Sequence, residues 1–391
     1  MRSGKSYATM RNCPTAQGCG LGQPISAPSE AAGTPDNGQA THPEGAPALA
    51  MQGSVRLLTG ASMVGSRLAV PSRGPFPMCY SAQIWTNWRK YQRAYGATID
   101  IDEFARLYAA RAEDRRVKIP KGLDLAFLNP ASPAERRIRD YIEAYDAETI
   151  AASEPELFKQ AKRLADAERT LQTKETKKAL NDQRIAGNKI KQLKRWIADA
   201  RRIEHDPVRD DRIFPDWYAP VLVQEGGERI VRPMRYHCRP AGMDPSIDRT
   251  KTGQVSGTYN ARRDNLPRFW RHLFGHTHAL MVADVFYENV DDGSGGSMEL
   301  QFRPRTREPM LIACLWSHWT DPAGKDSELY SFAAITDDPE PEVAAAGHDR
   351  TVINIRPEHV DAWLDPNGDT AAMQAIFDNK RHPYYEHRKA A

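Results

Sequence analysis

HALMVADVFYENV, residues 278–290, reads as a β-strand: it is rich in Val, Phe and Tyr, and neither Pro nor Gly interrupts it. The DDGSGG that follows at 291–296 is a flexible turn, and SMELQF at 297–302 resumes the strand texture. Similar runs lie on either side: APVLVQ at 219–224, ERIVRPMRYHC at 228–238, PMLIACLWSHW at 309–319, LYSFAAIT at 329–336 and TVINI at 351–355. Short strands punctuated by Pro and Gly, with helices interspersed, indicate an α+β domain.

Upstream of Asp206 the texture is helical. Residues 133–205 are rich in Lys, Arg, Glu, Ala and Gln, and contain Pro only at 133 and 155. Leu157, Phe158, Ala161, Leu164 and Ala165 predict one apolar stripe; Ile185, Ile190, Leu193, Trp196 and Ile197 predict a second. The segment is a long helix or a helical hairpin. IDIDEFARLYAARAE at 99–113 predicts an amphipathic helix resting on Ile101, Phe104, Ala105 and Tyr108, and MCYSAQIWTNW at 78–88 predicts a first strand. Residues 1–77 are Gly, Pro, Ala and Ser rich, without a sustained apolar period. They read as a disordered extension, a pro-segment or a mis-assigned start, with the working domain at 78–391.

Composition narrows the class. The 391 residues carry a formal charge of +3, which argues against a globally basic nucleic-acid coat protein but allows a local basic groove. Five cysteines (Cys13, Cys19, Cys79, Cys238, Cys314) at irregular spacing argue against a disulfide framework and for a reducing compartment. With neither a membrane-spanning run nor a signal-peptide pattern, the expected location is cytoplasmic, at the nucleoid when engaged on DNA.

Met78-Cys79 carries the chemistry. A cysteine exposed at an N-terminus holds a free α-amine and a thiol two carbons apart, which condense with an aldehyde to an imine and then a thiazolidine. Behind it come Tyr259-Asn260-Ala261-Arg262, Phe286-Tyr287-Glu288 and His348-Asp349-Arg350, with PDWYAP at 215–220, PMRYHCRP at 233–240 and Trp363-Leu364 in order. This series resembles the SOS-response-associated peptidase family, also called abasic-site-processing proteins. The resemblance covers roughly 78–130 and 206–366, with the helical segment as an insertion in a divergent branch. It implies a single domain with a β-rich antiparallel, barrel-like core and flanking helices.

It further implies a protein that recognises abasic sites in single-stranded DNA and crosslinks to them through Cys79, once residues 1–78 are absent. Glu288 would be the general acid/base, His348 would assist ring opening and imine formation, and Asn260 would orient the amine or the sugar oxygen. Arg262 would hold a phosphate beside the lesion. No cofactor is implied. RRDNLPRFWRHLF at 262–274 adds Arg263, Arg268 and Arg271 around Phe269 and Trp270, a basic–aromatic stretch suited to single-stranded DNA. Tyr80 and Ser81 stand where the family commonly has Gly-Arg, leaving Arg89 or Arg93 to grip that phosphate. Asp264, Asn289 and Thr351-Val352 are further departures.

Two other activities fit the residues. One is a cysteine-dependent autopeptidase that releases its own N-terminus and so creates the nucleophile. The other is a metal-dependent nuclease or binding module using Cys314 with His318, or His276 with His278, although neither pair has the spacing of a strong metal motif.

Overall fold

The computed structural model describes residues 81–324 and 328–390. Residues 1–80, Cys79 among them, lie outside the described residues, so the readings of 1–77 do too. The first strand is short: β1 spans Ser81–Ile84, and α1 begins already at Trp88 and ends at Tyr95. Asn87 ends the extended run because its side-chain oxygen caps α1, accepting from the Arg89 N–H at 3.0 Å. β2 (Thr98–Ile99) leads to α2 (Ile101–Glu113), where Phe104, Leu107, Tyr108 and Arg111 form the buried face. Ile101 and Ala105 flank that face, half-buried. α3 (Lys121–Ala126) supplies Asp124, which accepts from the buried Arg111 at 3.0 and 3.1 Å.

The segment predicted as helical is a hairpin of α4 (Pro133–Thr173) and α5 (Lys177–Arg201). Ser132 and Thr176 cap the two starts, each hydroxyl accepting from a backbone N–H at 3.1 Å. At 1.5 Å per residue, α4 is about 60 Å long. Its outer part buries Ser153, Gln160 and Ala167, and α5 buries Ala179, Ala186 and Leu193. Both sets repeat every seven residues, the period of a coiled-coil seam. The predicted stripes are therefore corrected in part. Phe158 is 76% exposed and Trp196 42%, because two helices bury only a narrow, small-residue seam between them.

After α6 (Pro207–Asp210) and β3 (Arg212–Ile213) come β4 (Tyr218–Glu225) and β5 (Glu228–Tyr236), a tight antiparallel pair. β6 is only Asn260–Arg262; β7 (His278–Asp291) is the long central strand. β8 (Ser297–Pro304), β9 (Met310–Trp319) and β10 (Leu329–Asp337) follow. The chain closes with α7 (Pro341–Ala345), β11 (Thr351–Val352), α8 (Val360–Leu364), α9 (Thr370–Asp378) and β12 (Tyr385–Lys389). Among the described residues no helix is long and apolar enough to cross a membrane.

The α+β class is what the structure shows, with a qualification about the sheet. Pairing runs in a circuit β7–β4–β5–β10–β9–β7, yet the β4–β7 link is the single pair Leu222↔Leu280. The sheet is thus strongly curled without a continuous barrel wall. It is also mixed rather than purely antiparallel, since β10 runs parallel to β5 and β6, and β2 parallel to β5. One physical reason is that β6 continues the line of β5. β5 pairs with β10 at Ser331 and Phe332, the chain makes an excursion over 237–259, and β6 resumes the same edge at Ala334.

Two apolar layers sandwich the sheet. Leu280, Val282, Ala333 and Ile335 face α1, α2, α8 and α9, including Trp363 and Phe377. Ala279, Met281, Phe286, Phe332 and Ala334 face the concave inside. A β-bulge decides which residues of β7 point there. Gln83 pairs with Val285 and Ile84 with Ala283, so Asp284 is an extra residue. Before it the odd positions face inward (279, 281, 283); after it the even ones do (286, 290). Position 288 consequently shares the concave phase, a re-aiming that bulges commonly provide beside functional sites.

Candidate active site

Glu288 is 0% exposed near the C-terminal end of β7, opposite Leu300 on β8. A carboxyl group so deeply buried requires a partner. It has one in His348, whose Nε2 lies 3.1 Å from Glu288 Oε2 with both side chains almost fully covered. His348 is reached through Gly347, which adopts φ 95°, a conformation open to glycine at no steric cost. The backbone of Arg350 fixes the other ring nitrogen: its carbonyl is 3.0 Å and its N–H 3.2 Å from Nδ1. Burial alone would depress the imidazole's pKa. The hydrogen bond and charge of Glu288 outweigh it, so His348 binds its proton more tightly than a free histidine.

Asn260 enters the same concave face by register. It pairs with Ala334 of β10, whose side chain belongs to the inner layer, and it is 4% exposed. Its Oδ1 accepts from the Tyr236 hydroxyl at 3.1 Å. Tyr236 is a residue sequence reasoning left without a role. It is held by stacking on Phe332 at 5.2 Å, and the signal for it was its place in PMRYHCRP at the end of a strand. The structure thus brings Asn260, Glu288 and His348 to one inner face and a loop above it; Cys79 lies outside the described residues.

The basic residues divide. Arg262 is 40% exposed and grips Asp264 through Nε at 3.0 Å and Nη2 at 2.6 Å. An exposed ion pair of this kind is worth only about 0–1 kcal/mol, so a phosphate can take the carboxylate's place. Arg268 and Arg271 are exposed. Two expectations are corrected. Trp270 is 3% exposed within the apolar core, so its ring is not presented to a base; Phe269 is the outward ring of that pair, 37% exposed. Arg263 is a clamp between elements, donating to Gln374, Asp337 and Asp378 and lying over Phe377.

Arg89 is likewise committed, donating to the Ala126 carbonyl at 2.6 Å and to Glu135 at 2.5 Å, while Arg93 is exposed. A guanidinium does stand at Ser81, but it comes from β3. Arg212 donates to the Ser81 hydroxyl from Nη2 at 2.7 Å, pairs with Glu299 and lies 3.8 Å over the Tyr287 ring. The metal-ligand pairs are corrected as well. Cys314 is buried on β9, where four residues span about 13 Å, and His318 stacks on Tyr330 at 4.2 Å. His278 is buried, with its pKa lowered to about 3 by desolvation, and both ring nitrogens bond to backbone.

A cavity of about 560 Å³ opens elsewhere, between the base of the helical hairpin and the body, lined by Arg111, Lys118, Tyr145, Trp196 and Trp217 among others. It includes none of Asn260, Glu288 and His348. The buried carboxylate–imidazole pair, rather than this hollow, marks the candidate site, because a charged pair is sealed in a core only at considerable cost.

These features define an α+β protein with a carboxylate–imidazole pair enclosed by a curled sheet. Residues 171–389 match the family described as SOS response associated peptidase (SRAP), and the chain belongs to that family. It is accordingly a protein of the DNA damage response. Similar solved structures include a protein from Bordetella bronchiseptica (20% identity, TM-score 0.39, 46% of this chain and 87% of that one). A protein from Bacteroides thetaiotaomicron is similar at 14% identity and TM-score 0.37, covering 46% and 77%. A phage-related protein from Bordetella bronchiseptica gives 20%, 0.34, 46% and 80%. Comparison with curated proteins gave no match.

Proposed function

We propose that the protein captures abasic sites in single-stranded DNA by forming a thiazolidine between the lesion's aldehyde and an N-terminal Cys79. The observation that carries this reading is the sealed Glu288–His348 pair lying beside the strand into which Cys79 leads. Ser81 pairs with Tyr287, the neighbour of Glu288. Two peptide units, at most about 7.2 Å at full extension, separate the Cα atoms of Cys79 and Ser81. The amine of Cys79 adds to the aldehyde carbon, giving a carbinolamine that loses water to an imine. The thiol sulfur then adds to the imine carbon while its proton returns to nitrogen. The net result is one aldehyde plus one aminothiol giving one thiazolidine and one water. Glu288 takes and returns the protons of addition and dehydration, and His348 protonates the sugar oxygen as the ring opens. Asn260 orients the amine or the sugar oxygen without a change of charge.

The test is incubation of protein beginning at Cys79 with an oligonucleotide carrying one abasic site. A heat-stable, shifted band is expected, absent in Cys79→Ala and blocked by acetylating the N-terminus. Crosslinking by Cys79→Ala at the wild-type rate would end the proposal. Cleavage of the bond before Cys79 by the same groups is compatible with it and would appear in the mass of the full-length chain. Arg262→Ala is expected to weaken binding of undamaged single strands and to lower the slope of log affinity against log salt by about 1, the loss of one phosphate contact. An unchanged slope would remove Arg262 from the interface.

A further inference from the structure

A second constellation of reactive groups forms where the excursion between β5 and β6 meets the loop that precedes β4. His237, 0% exposed, has Nδ1 2.7 Å from Asp216 Oδ1 and Nε2 2.9 Å from Ser256 Oγ. The other oxygen of Asp216 lies 2.7 Å from the Arg249 guanidinium. Burial would raise the Asp216 pKa, but the hydrogen bonds from His237 and Arg249 prevail and hold it at about 2. An ionised carboxylate only accepts, so Nδ1 carries a proton, and in the neutral imidazole Nε2 accepts from the serine hydroxyl. Nucleophile, base and orienting carboxylate stand in the relation that activates serine for acyl transfer.

The surroundings hold this arrangement in place. Asp216 sits at φ 73°, in the left-handed region, fixed by its N–H to the Tyr236 carbonyl at 2.8 Å. Sparsely populated backbone of this sort collects at functional sites. Ser256 is anchored by its N–H to the Asp248 carbonyl at 3.0 Å, beside the Arg249↔Val255 bridge. Asp248 is in turn gripped by Arg235 and Arg239 at 2.8 and 2.5 Å. A serine preceding a helical turn ordinarily caps it, yet Ser256 makes no cap bond to the Gly257–Tyr259 turn and gives its hydroxyl to His237 instead. Thr258 Oγ1 lies 3.2 Å from the serine oxygen. The base is sealed from water while the serine is half-buried, and the space where Gly257 would carry a Cβ is open for 4 Å.

We propose that Ser256, His237 and Asp216 form a second reactive centre, a serine nucleophile that acts on carboxylic esters. Ser256 Oγ adds to the ester carbonyl carbon as its proton passes to His237 Nε2. The tetrahedral adduct expels the alcohol, which takes that proton, leaving an acyl-serine. Water, deprotonated by the same nitrogen, then releases the carboxylic acid and restores the serine. Ser256 and His237 are the catalytic residues; Asp216 is a positioning residue that fixes the tautomer.

The experiment treats the folded chain with a fluorophosphonate and, separately, with p-nitrophenyl acetate. One phosphonyl adduct on Ser256 is expected by peptide mass spectrometry, absent in Ser256→Ala and in heat-unfolded protein. Asp216→Asn keeps a residue that tolerates the left-handed backbone. It is expected to slow labelling on the order of 10⁴-fold and to abolish the strongly downfield proton resonance of the His237 Nδ1–H. Ester turnover is expected to fall in parallel. No adduct on folded wild-type protein, or labelling of Asp216→Asn at the wild-type rate, overturns the proposal. Abasic-site crosslinking by Ser256→Ala is expected to match wild type, so this centre and the Cys79 chemistry stand or fall separately.

Discussion

Glu288→Gln is expected to slow crosslinking to abasic DNA by about 10²–10⁴-fold, the range for loss of one general acid/base, with the fold intact. Glutamine has the shape of the carboxylate it replaces, and its Oε1 can still accept from His348 Nε2. The concave layer around Phe286, Phe302 and Leu300 therefore keeps its packing. What disappears is the group that takes a proton from the adding amine and returns it to the departing water. Binding of undamaged single strands should not change, because Glu288 is fully covered and touches no solvent-facing surface. Rates from quenched time points, set beside anisotropy on undamaged DNA, separate the two effects. A Glu288→Gln protein that crosslinks as fast as wild type would remove Glu288 from the reaction.

How visible this site was in the sequence depended on the scale of the cause. The strand character of 278–290 was legible because Val, Phe and Tyr favour that backbone wherever they stand. That Glu288 points inward was not, since the phase of β7 is reset by the extra residue Asp284, and a bulge arises from pairing with β1. Read by simple alternation from Ala279, position 288 falls on the outer face; Glu288 was found through its motif instead. Trp270 shows the opposite failure. Arginines on either side suggested an exposed ring, but Leu266, Trp270, Leu273 and Phe274 are buried at spacings of three and four residues, so Trp270 packs into the core while the arginines and Phe269 between them face outward. The hairpin stripes erred for a related reason: apolar residues were taken to mark the seam, whereas Ser153, Ala167, Ala179 and Ala186 form much of it. Small residues allow close helix approach yet carry little hydrophobic signal. Asp216, His237 and Ser256 are spread along 216–256: the pairing of β4 with β5 sets Asp216 beside the end of β5, and the excursion between β5 and β6 returns Ser256 to the same place.

His348→Ala should be the most destabilising single change at the site. It removes the imidazole whose Nε2 lies 3.1 Å from the carboxylate of Glu288, which has no exposure to water that could replace that partner. Breaking a buried ion pair from one side typically costs about 3–5 kcal/mol. Urea unfolding at pH 7 should show that loss as a lower midpoint at unchanged slope. Adding Glu288→Gln to His348→Ala should restore much of it, because the double variant buries no charge; the two losses are therefore strongly non-additive. The pair also sets a pH dependence whose sign follows from the raised imidazole pKa. A histidine that binds its proton more tightly when folded contributes its full stabilisation below the unfolded value of about 6.5. That contribution is lost as pH rises through the higher folded value. Wild-type stability should accordingly decline across this window on the alkaline side of 6.5, and the decline should flatten in Glu288→Gln, where the charge that raises the pKa is gone. If the two proteins show the same slope, His348 is not charged against Glu288, and imine formation must take its protons from elsewhere.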